Sequence, residues 1–219
     1  MNTLKFNPPL ISTELCEIMG KNKSDKGHKN ISTSWHNYTM YYFTIFNEYK
    51  NNPLRIFELG LGTNNVNLKS HMGADGRPGA SLYGWLEFFT NAEVYGADID
   101  KNILFNTDKI KTFYCDQTNP TDIQNMWKEP ALNNSFNIII EDGLHEYDAN
   151  VTFFENSIHK LAKHGYFIIE DIITTDIPRF QKKIEEWAIQ YPHLVFTMVM
   201  LDHYNTFDNN LLVIKDNRI

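Results

Sequence analysis

Leu54-Arg-Ile-Phe-Glu-Leu-Gly-Leu-Gly-Thr-Asn-Asn65 decides the fold. Leu54 to Phe57 reads as a short buried strand. Glu58, Gly60 and Gly62 stand at its C-terminal end. Glycines there let the backbone turn sharply and approach a ligand closely. A carboxylate beside them can accept hydrogen bonds from a ribose or an amino group. A nucleotide-like ligand is therefore the first expectation. An ordinary strand–loop turn is the competing reading, because short glycine patterns are weak evidence.

Outward from this stretch the chain alternates helices and strands. Upstream, Tyr38, Tyr41, Tyr42, Ile45, Phe46 and Tyr49 recur at helical spacing, which predicts a helix over 35–49. Most of these aromatics read as core packing, with one or two tyrosines left to face the ligand. A short helix is expected over 13–19, after Pro8-Pro9. Residues 21–30 are polar and carry Gly27; they read as a lid or as a plain solvated loop. Downstream, Val66-Asn-Leu68 reads as a helix start, and the glycine-rich 71–79 as an inserted loop. Further helices are expected over 81–89, 120–127, 150–161 and 178–191. Strands are expected over 94–100, 110–115, 136–140 and 165–169, then over 194–201 and 210–214. This alternation predicts an α/β fold with a Rossmann-like, doubly wound, mostly parallel seven-stranded sheet. The last two strands have no helix between them, so they are expected to form an antiparallel pair at the sheet edge.

Composition narrows the function. A length of 219 residues suits one domain, or one domain with a small addition. The net charge is −7 and no Lys/Arg run stands out, so nucleic acid is a poor candidate as main partner. Cys16 and Cys115 lie far apart in no metal-like spacing, which suggests free thiols and a reducing, cytoplasmic compartment. Neither a signal peptide nor a membrane-spanning run is read from the sequence.

The acids sort by position. Glu58, Asp98 with Asp100, Asp116, Asp142, and Glu170-Asp171 each follow or end a predicted strand. Ligands of open α/β sheets bind outside the carboxyl ends of the strands, so these acids should converge on one crevice. Helix caps are the bland alternative, since Asp is common there. Two halves separate. Glu58, Gly60, Gly62, Asp98 and Asp116 belong to the half that would hold a nucleoside. Asp98 is placed for ribose hydroxyls, and Asp116 with Gln117 for an adenine edge. The other half holds Asp142, His145, Glu170 and Asp171. Three carboxylates and an imidazole suit a hard divalent cation such as Mg²⁺. Without a cation they would repel one another. His145 is close enough in sequence to act beside the ion as a general base. Taken alone it would as readily be a cap or core histidine.

With these motifs on the page, the chain resembles class I S-adenosylmethionine-dependent methyltransferases. Within them it is similar to the metal-dependent sugar O-methyltransferases of the macrocin and mycinamicin type. The ordered set is Ser-Asp-Lys-Gly (24–27), Phe-Glu-Leu-Gly-Leu-Gly (57–62), Tyr-Gly-Ala-Asp-Ile-Asp (95–100), Asp-Gln (116–117), Asp-Gly-Leu-His (142–145), Ile-Ile-Glu-Asp (168–171) and Asp-Asn-Asn-Leu-Leu-Val-Ile (208–214). The resemblance implies S-adenosyl-L-methionine and Mg²⁺, or another divalent cation, as cofactors. It implies that Glu58, Gly60 and Gly62 line the methionine and ribose part, that Asp98 holds the ribose, and that Asp116 and Gln117 lie near the adenine. Lys26-Gly27 would close over the cofactor, and Ser81 would touch it. Asp142, Glu170 and Asp171 would bind the metal, with His145 and Asp142 catalytic. Leu144 stands where the family often has a small polar residue.

Residues 1–50 are then expected to be a helical lid segment and 51–219 the S-adenosylmethionine-binding methyltransferase domain. The implied partner is a small-molecule sugar, as part of a glycan, a nucleotide sugar or a natural-product deoxysugar. A homo-oligomer is expected, without membrane insertion. Three rivals remain. A dinucleotide-dependent oxidoreductase wants a third glycine where Asn65 stands, and an acid much earlier than Asp98. A non-catalytic S-adenosylmethionine-binding protein would not need Asp142, His145, Glu170 and Asp171. A catechol-type O-methyltransferase would need an apolar slot for its ring.

Overall fold

The computed structural model describes residues 2–9, 11–27 and 35–218. Residues 28–30 of the expected 21–30 loop lie outside the described residues.

The expected strands are present as β2 (Arg55–Leu59), β3 (Glu93–Asp98), β4 (Ile110–Tyr114), β5 (Phe136–Glu141), β6 (Leu161–Ile169), β7 (Leu194–Leu201) and β8 (Asn210–Asp216). An eighth, β1 (Asn2–Phe6), was not expected. It pairs parallel with β7, so the sheet order is β1-β7-β8-β6-β5-β2-β3-β4. The terminal pair is antiparallel as expected, and β1 continues the sheet beyond it as an eighth strand. β8 lies between β6 and β7, antiparallel to both, and β1 forms the sheet edge.

Alternation along the strands builds two cores. Ile56, Ile138, Ile140 and Ile168 pack on one face with α1 (Glu14–Asn22), α2 (Tyr38–Phe46) and α3 (Ala80–Phe88). Phe57, Ile139, Phe167 and Ile169 point to the other face. There they meet α4 (Pro120–Met126), α5 (Tyr147–Ser157) and α6 (Ile177–Gln190). A period of two places successive side chains on opposite faces of each strand. The first 50 residues thus supply a sheet strand and two helices of one layer.

Local chemistry sets the helix ends. The Thr13 hydroxyl accepts the Cys16 N–H at 3.3 Å and caps α1. Asn119 caps α4, with Pro120 at its first turn where no N–H is needed. Two expectations move. Residues 66–67 form a turn and 68 a bend, and no helix starts there. The 150–161 helix starts earlier, at Tyr147, and Leu161 already belongs to β6.

The topology also fixes a crevice. From β2 the chain moves outward through β3 to β4, then returns to the other side of β2 for β5 and β6. The strand order reverses between β2 and β5, and ligands of such sheets bind at that switch point.

Trp187 tests the α6 side of the core. It is fully buried, its ring lies 4.2 Å from that of Phe154, and its Nε1 donates to Glu155 at 3.0 Å. Trp187→Ala is expected to cost about 3–5 kcal/mol. A thermal melt should show Tm lower by roughly 10 °C or more.

Candidate active site

The sheet ladder runs one residue past the strands. Gly60 N–H donates to Ala97 O at 2.8 Å, Asp142 N–H to Leu59 O at 2.9 Å, and Glu170 N–H to Glu141 O at 2.9 Å. Asp98, Gly60, Asp142 and Glu170 therefore emerge side by side at the carboxyl end of the sheet. Above them lies a crevice of about 320 Å³. That is the size of a small-molecule site.

The glycine side is shaped by backbone. Gly60 has φ +89° and Gly62 φ +71°, a region that disfavours other residues. A Cβ on Gly60 would sit 1.8 Å from the Asp142 carbonyl oxygen. Asp98 ties the loop down: Oδ2 accepts the Leu61 N–H at 2.7 Å, and Oδ1 the Asp100 N–H at 2.8 Å. Asp100 in turn accepts from the Thr63 hydroxyl at 2.7 Å. Glu58 is fully buried and accepts from the Ser81 hydroxyl, and from Trp85 Nε1 at 2.5 Å. Burial raises the Glu58 carboxyl above its usual range even with Lys26 nearby.

Gln117 is committed inward. Its Nε2 donates to Glu141 at 2.9 Å and its Oε1 accepts the Leu144 N–H at 2.7 Å, so its amide holds the turn that carries His145. Burial pushes Glu141 up to about 7. Asp116 accepts from the Thr118 N–H at 2.9 Å. Of the residues expected around the donor, Lys26, Gly60, Gly62, Ser81, Asp98, Asp116 and Gln117 line the crevice. Glu58 and Gly27 lie behind its wall; Gly27 is pressed against Thr39 of α2.

The acidic side is dense. Lys26, almost wholly buried, donates to Asp142 Oδ2 and Glu170 Oε2, and its Nζ lies 3.6 Å from Glu58. His145 Nε2 lies 3.1 Å from both Asp142 Oδ1 and Asp171 Oδ2. Tyr38 donates to Asp171 at 2.5 Å, and Tyr42 to Glu170 at 2.5 Å. His36 stacks on Tyr38 and places Nε2 3.3 Å from Asp171 and 3.5 Å from Asp208. Burial alone would lower the His145 imidazole, but Asp171 and Asp142 outweigh it and push it up to about 10. Burial would raise Asp142, yet Lys26 and His145 hold it well below the usual carboxylate range. Glu170 is raised well above that range, burial outweighing Lys26. His145 at φ +59° and Asp171 at φ +52° are both left-handed without being glycine. Such strain, on the order of 1–3 kcal/mol each, gathers at functional sites.

Asp142, His145 and Asp171 each present a ligand atom, and the three atoms lie within 4.8 Å of one another. Two carboxylate oxygens and an imidazole nitrogen fit a divalent cation. Glu170, expected in the metal set, gives its oxygens to Lys26 and Tyr42. Sequence reasoning did not single out His36, Tyr38, Tyr42 or Asp208 for this site. The usable signal was the four-residue spacing of Tyr38 and Tyr42, which puts both on one helix face.

No family model matches the chain. Demethylmacrocin O-methyltransferase of Streptomyces fradiae is 30% identical over 147 residues, covering 67% of this chain and 34% of that protein. The 8-demethyl-8-alpha-L-rhamnosyl tetracenomycin-C 2'-O-methyltransferase of Streptomyces olivaceus is 28% identical over 154 residues, 68% of this chain and 37% of that protein. The chain thus spans about a third of the length of these curated relatives. Among solved structures, the MycE methyltransferase from the mycinamycin biosynthetic pathway, in complex with Mg and SAH, matches at a TM-score of 0.67 and 23% identity. That match covers 94% of this chain and 55% of the other. The chain is similar, over about two thirds of its own length, to O-methyltransferases acting on macrocin and tetracenomycin precursors, and it shares the fold of the MycE methyltransferase.

The two glycines separate backbone constraint from side-chain crowding. A Cβ on Gly62 would meet only the flexible Met72 thioether, at 2.1 Å, whereas one on Gly60 meets the backbone of Asp142. Gly60→Ala should therefore lower Tm more than Gly62→Ala in parallel melts. Equal losses would mean that φ strain alone sets the cost.

Proposed function

We propose that the protein is an S-adenosylmethionine-dependent O-methyltransferase acting on a sugar hydroxyl, with Mg²⁺ holding a vicinal diol. The observation that carries this reading is that one crevice joins the glycine loop of 60–63 to Asp142, His145 and Asp171. Homology to sugar O-methyltransferases supports the reaction and the acceptor class. No helix among the described residues is long and apolar enough to cross a membrane.

When bound, the donor supplies an activated sulfonium methyl, and the cation supplies charge that orients two hydroxyls and acidifies one. The protein's own residues do the rest. Gly60, Gly62, Ser81, Asp98, Asp116 and Gln117 wall the donor half, with Glu58 bracing it from behind. Asp142 and Asp171 would hold the cation, and Glu170 would join them only by leaving Lys26 and Tyr42. His145 Nε2 lies 3.1 Å from both aspartates, whose charge keeps it protonated in the metal-free site. With a cation on those carboxylates that charge is offset, and the imidazole, left outside the metal's ligands, is free to take the hydroxyl proton. In-line transfer then needs the acceptor oxygen held about 3 Å from the methyl carbon.

In this reading residues 1–50 complete the sheet and one helical layer of the donor-binding domain of 51–219, and the lid is confined to the stretch around Lys26 between α1 and α2. Lys26, which reaches into the crevice from that segment, supports the assignment. A cytoplasmic location accords with the free thiols of Cys16 and Cys115. A homo-oligomer is also proposed; among the described residues β1 ends the sheet, and an edge strand can pair with a second copy.

Incubation with labelled S-adenosylmethionine, Mg²⁺ and a panel of nucleotide sugars, glycosides and free glycans should add the mass of one methyl group to an acceptor. No transfer to any of them would favour a non-catalytic binder. His145→Ala should lower turnover by roughly a hundredfold or more while donor binding by calorimetry stays near normal. Unchanged turnover would remove the base. A chelator should abolish transfer and added Mg²⁺ restore it; full activity in chelator would remove the metal.

A further inference from the structure

Lys26 is the one lysine whose ammonium lies among the buried acids of the crevice, in the described residues. Its backbone is fixed from both sides: the Lys26 N–H donates to the Ser24 hydroxyl at 3.3 Å, and the Lys26 carbonyl accepts the Thr39 N–H at 3.1 Å. Its side chain bridges Asp142 Oδ2 and Glu170 Oε2, with Glu58 at 3.6 Å. A buried ammonium is costly without partners, and a buried carboxylate is costly without a cation. Each here solves the other's problem.

One of these carboxylates, Asp142, also belongs to the cluster that could hold a divalent cation, and Glu170 is next in sequence to Asp171 of that cluster. Asp142 Oδ1 faces His145 while Oδ2 faces Lys26, so both oxygens of this candidate ligand are engaged. Glu170 is likewise divided between Lys26 and Tyr42. A doubly charged ion and an ammonium on one carboxylate would repel each other at close range. We propose that Lys26 is a tethered internal cation that neutralises the crevice when no metal is present and competes with the divalent cation for Asp142 and Glu170. Metal loading and release of the 24–27 segment from these acids then become one equilibrium. The inference rests on the reading of Asp142 as a metal ligand.

Mn²⁺ is a paramagnetic probe of the same site, and free ion can be read directly by EPR in titrations of the full chain. Lys26→Met should bind Mn²⁺ at least tenfold more tightly than the unaltered protein, and Asp142→Asn should bind it at least tenfold more weakly. By mass action, the same Mn²⁺ concentration should then raise the Tm of Lys26→Met more than that of the unaltered chain. Lys26→Gln, which keeps hydrogen-bonding capacity without charge, repeats the test should the methionine variant not fold. If Asp142→Asn weakens Mn²⁺ binding while both Lys26 variants bind as before or more weakly, the competition is overturned and Lys26 is a structural ion-pair partner. If Asp142→Asn leaves Mn²⁺ binding unchanged, the metal reading itself fails, and the inference with it.

Discussion

Three buried carboxylates, Glu58, Glu170 and Asp171, and the partly buried Asp142 gather at one crevice, and their mutual repulsion is the constraint the site is built to meet. Asp142 is held ionised by Lys26 and His145. Burial raises Glu58, Glu170 and Asp171, and each is given a hydrogen-bond donor from α2 or α3: Tyr42 for Glu170, Tyr38 for Asp171, Ser81 and Trp85 for Glu58. The helices of that layer therefore do more than cover the sheet. Their aromatic residues bury the apolar face, and their hydroxyl and indole groups reach over its end to the acids. A buried polar network of this kind is stable only when its members are satisfied together.

This double duty explains what was legible in the sequence. The apolar runs Ile56-Phe57 and Ile138-Ile-Ile140 announce strands by themselves, and the acid after each run marks its carboxyl end. Seven strands and the convergence of the acids follow from local pattern. The eighth strand does not, because Asn2-Thr-Leu-Lys-Phe6 is short, largely exposed and followed by prolines. Nor does the place of β8 between β6 and β7, since strand order is set by packing across the sheet and leaves no mark in a strand's own periodicity.

Side-chain direction was less legible still. Tyr38 and Tyr42 carry the apolar spacing of a core helix, so their hydroxyls were hidden by their rings. Gln117 follows a strand end as an adenine-facing residue would, yet its amide turns to Glu141 and Leu144. Glu170 and Asp171 are adjacent in sequence but part company: Asp171 takes a left-handed backbone and faces His145, while Glu170 faces Lys26. Strain at one residue is what separates the two neighbours, and motif spacing does not register it.

The two half-sites are joined by backbone. Leu59 pairs with Ala97 on one side and Glu141 on the other, and Glu141 with Ile169, so the next residue on each strand falls in one row. Gly60 is the member of that row without a side chain, and the Asp142 carbonyl occupies the space a Cβ would take. The donor loop thus touches the acidic loop directly. Side chains at such a seam could shift by a rotamer; hydrogen-bonded strand ends shift far less. For the proposed transfer, which needs oxygen and methyl carbon held in line, a separation set by the sheet is the more reliable one. The glycine at position 60 then has two roles that no other residue could fill together: it turns the chain at the head of the crevice, and it lets the Asp142 loop close to within contact of it.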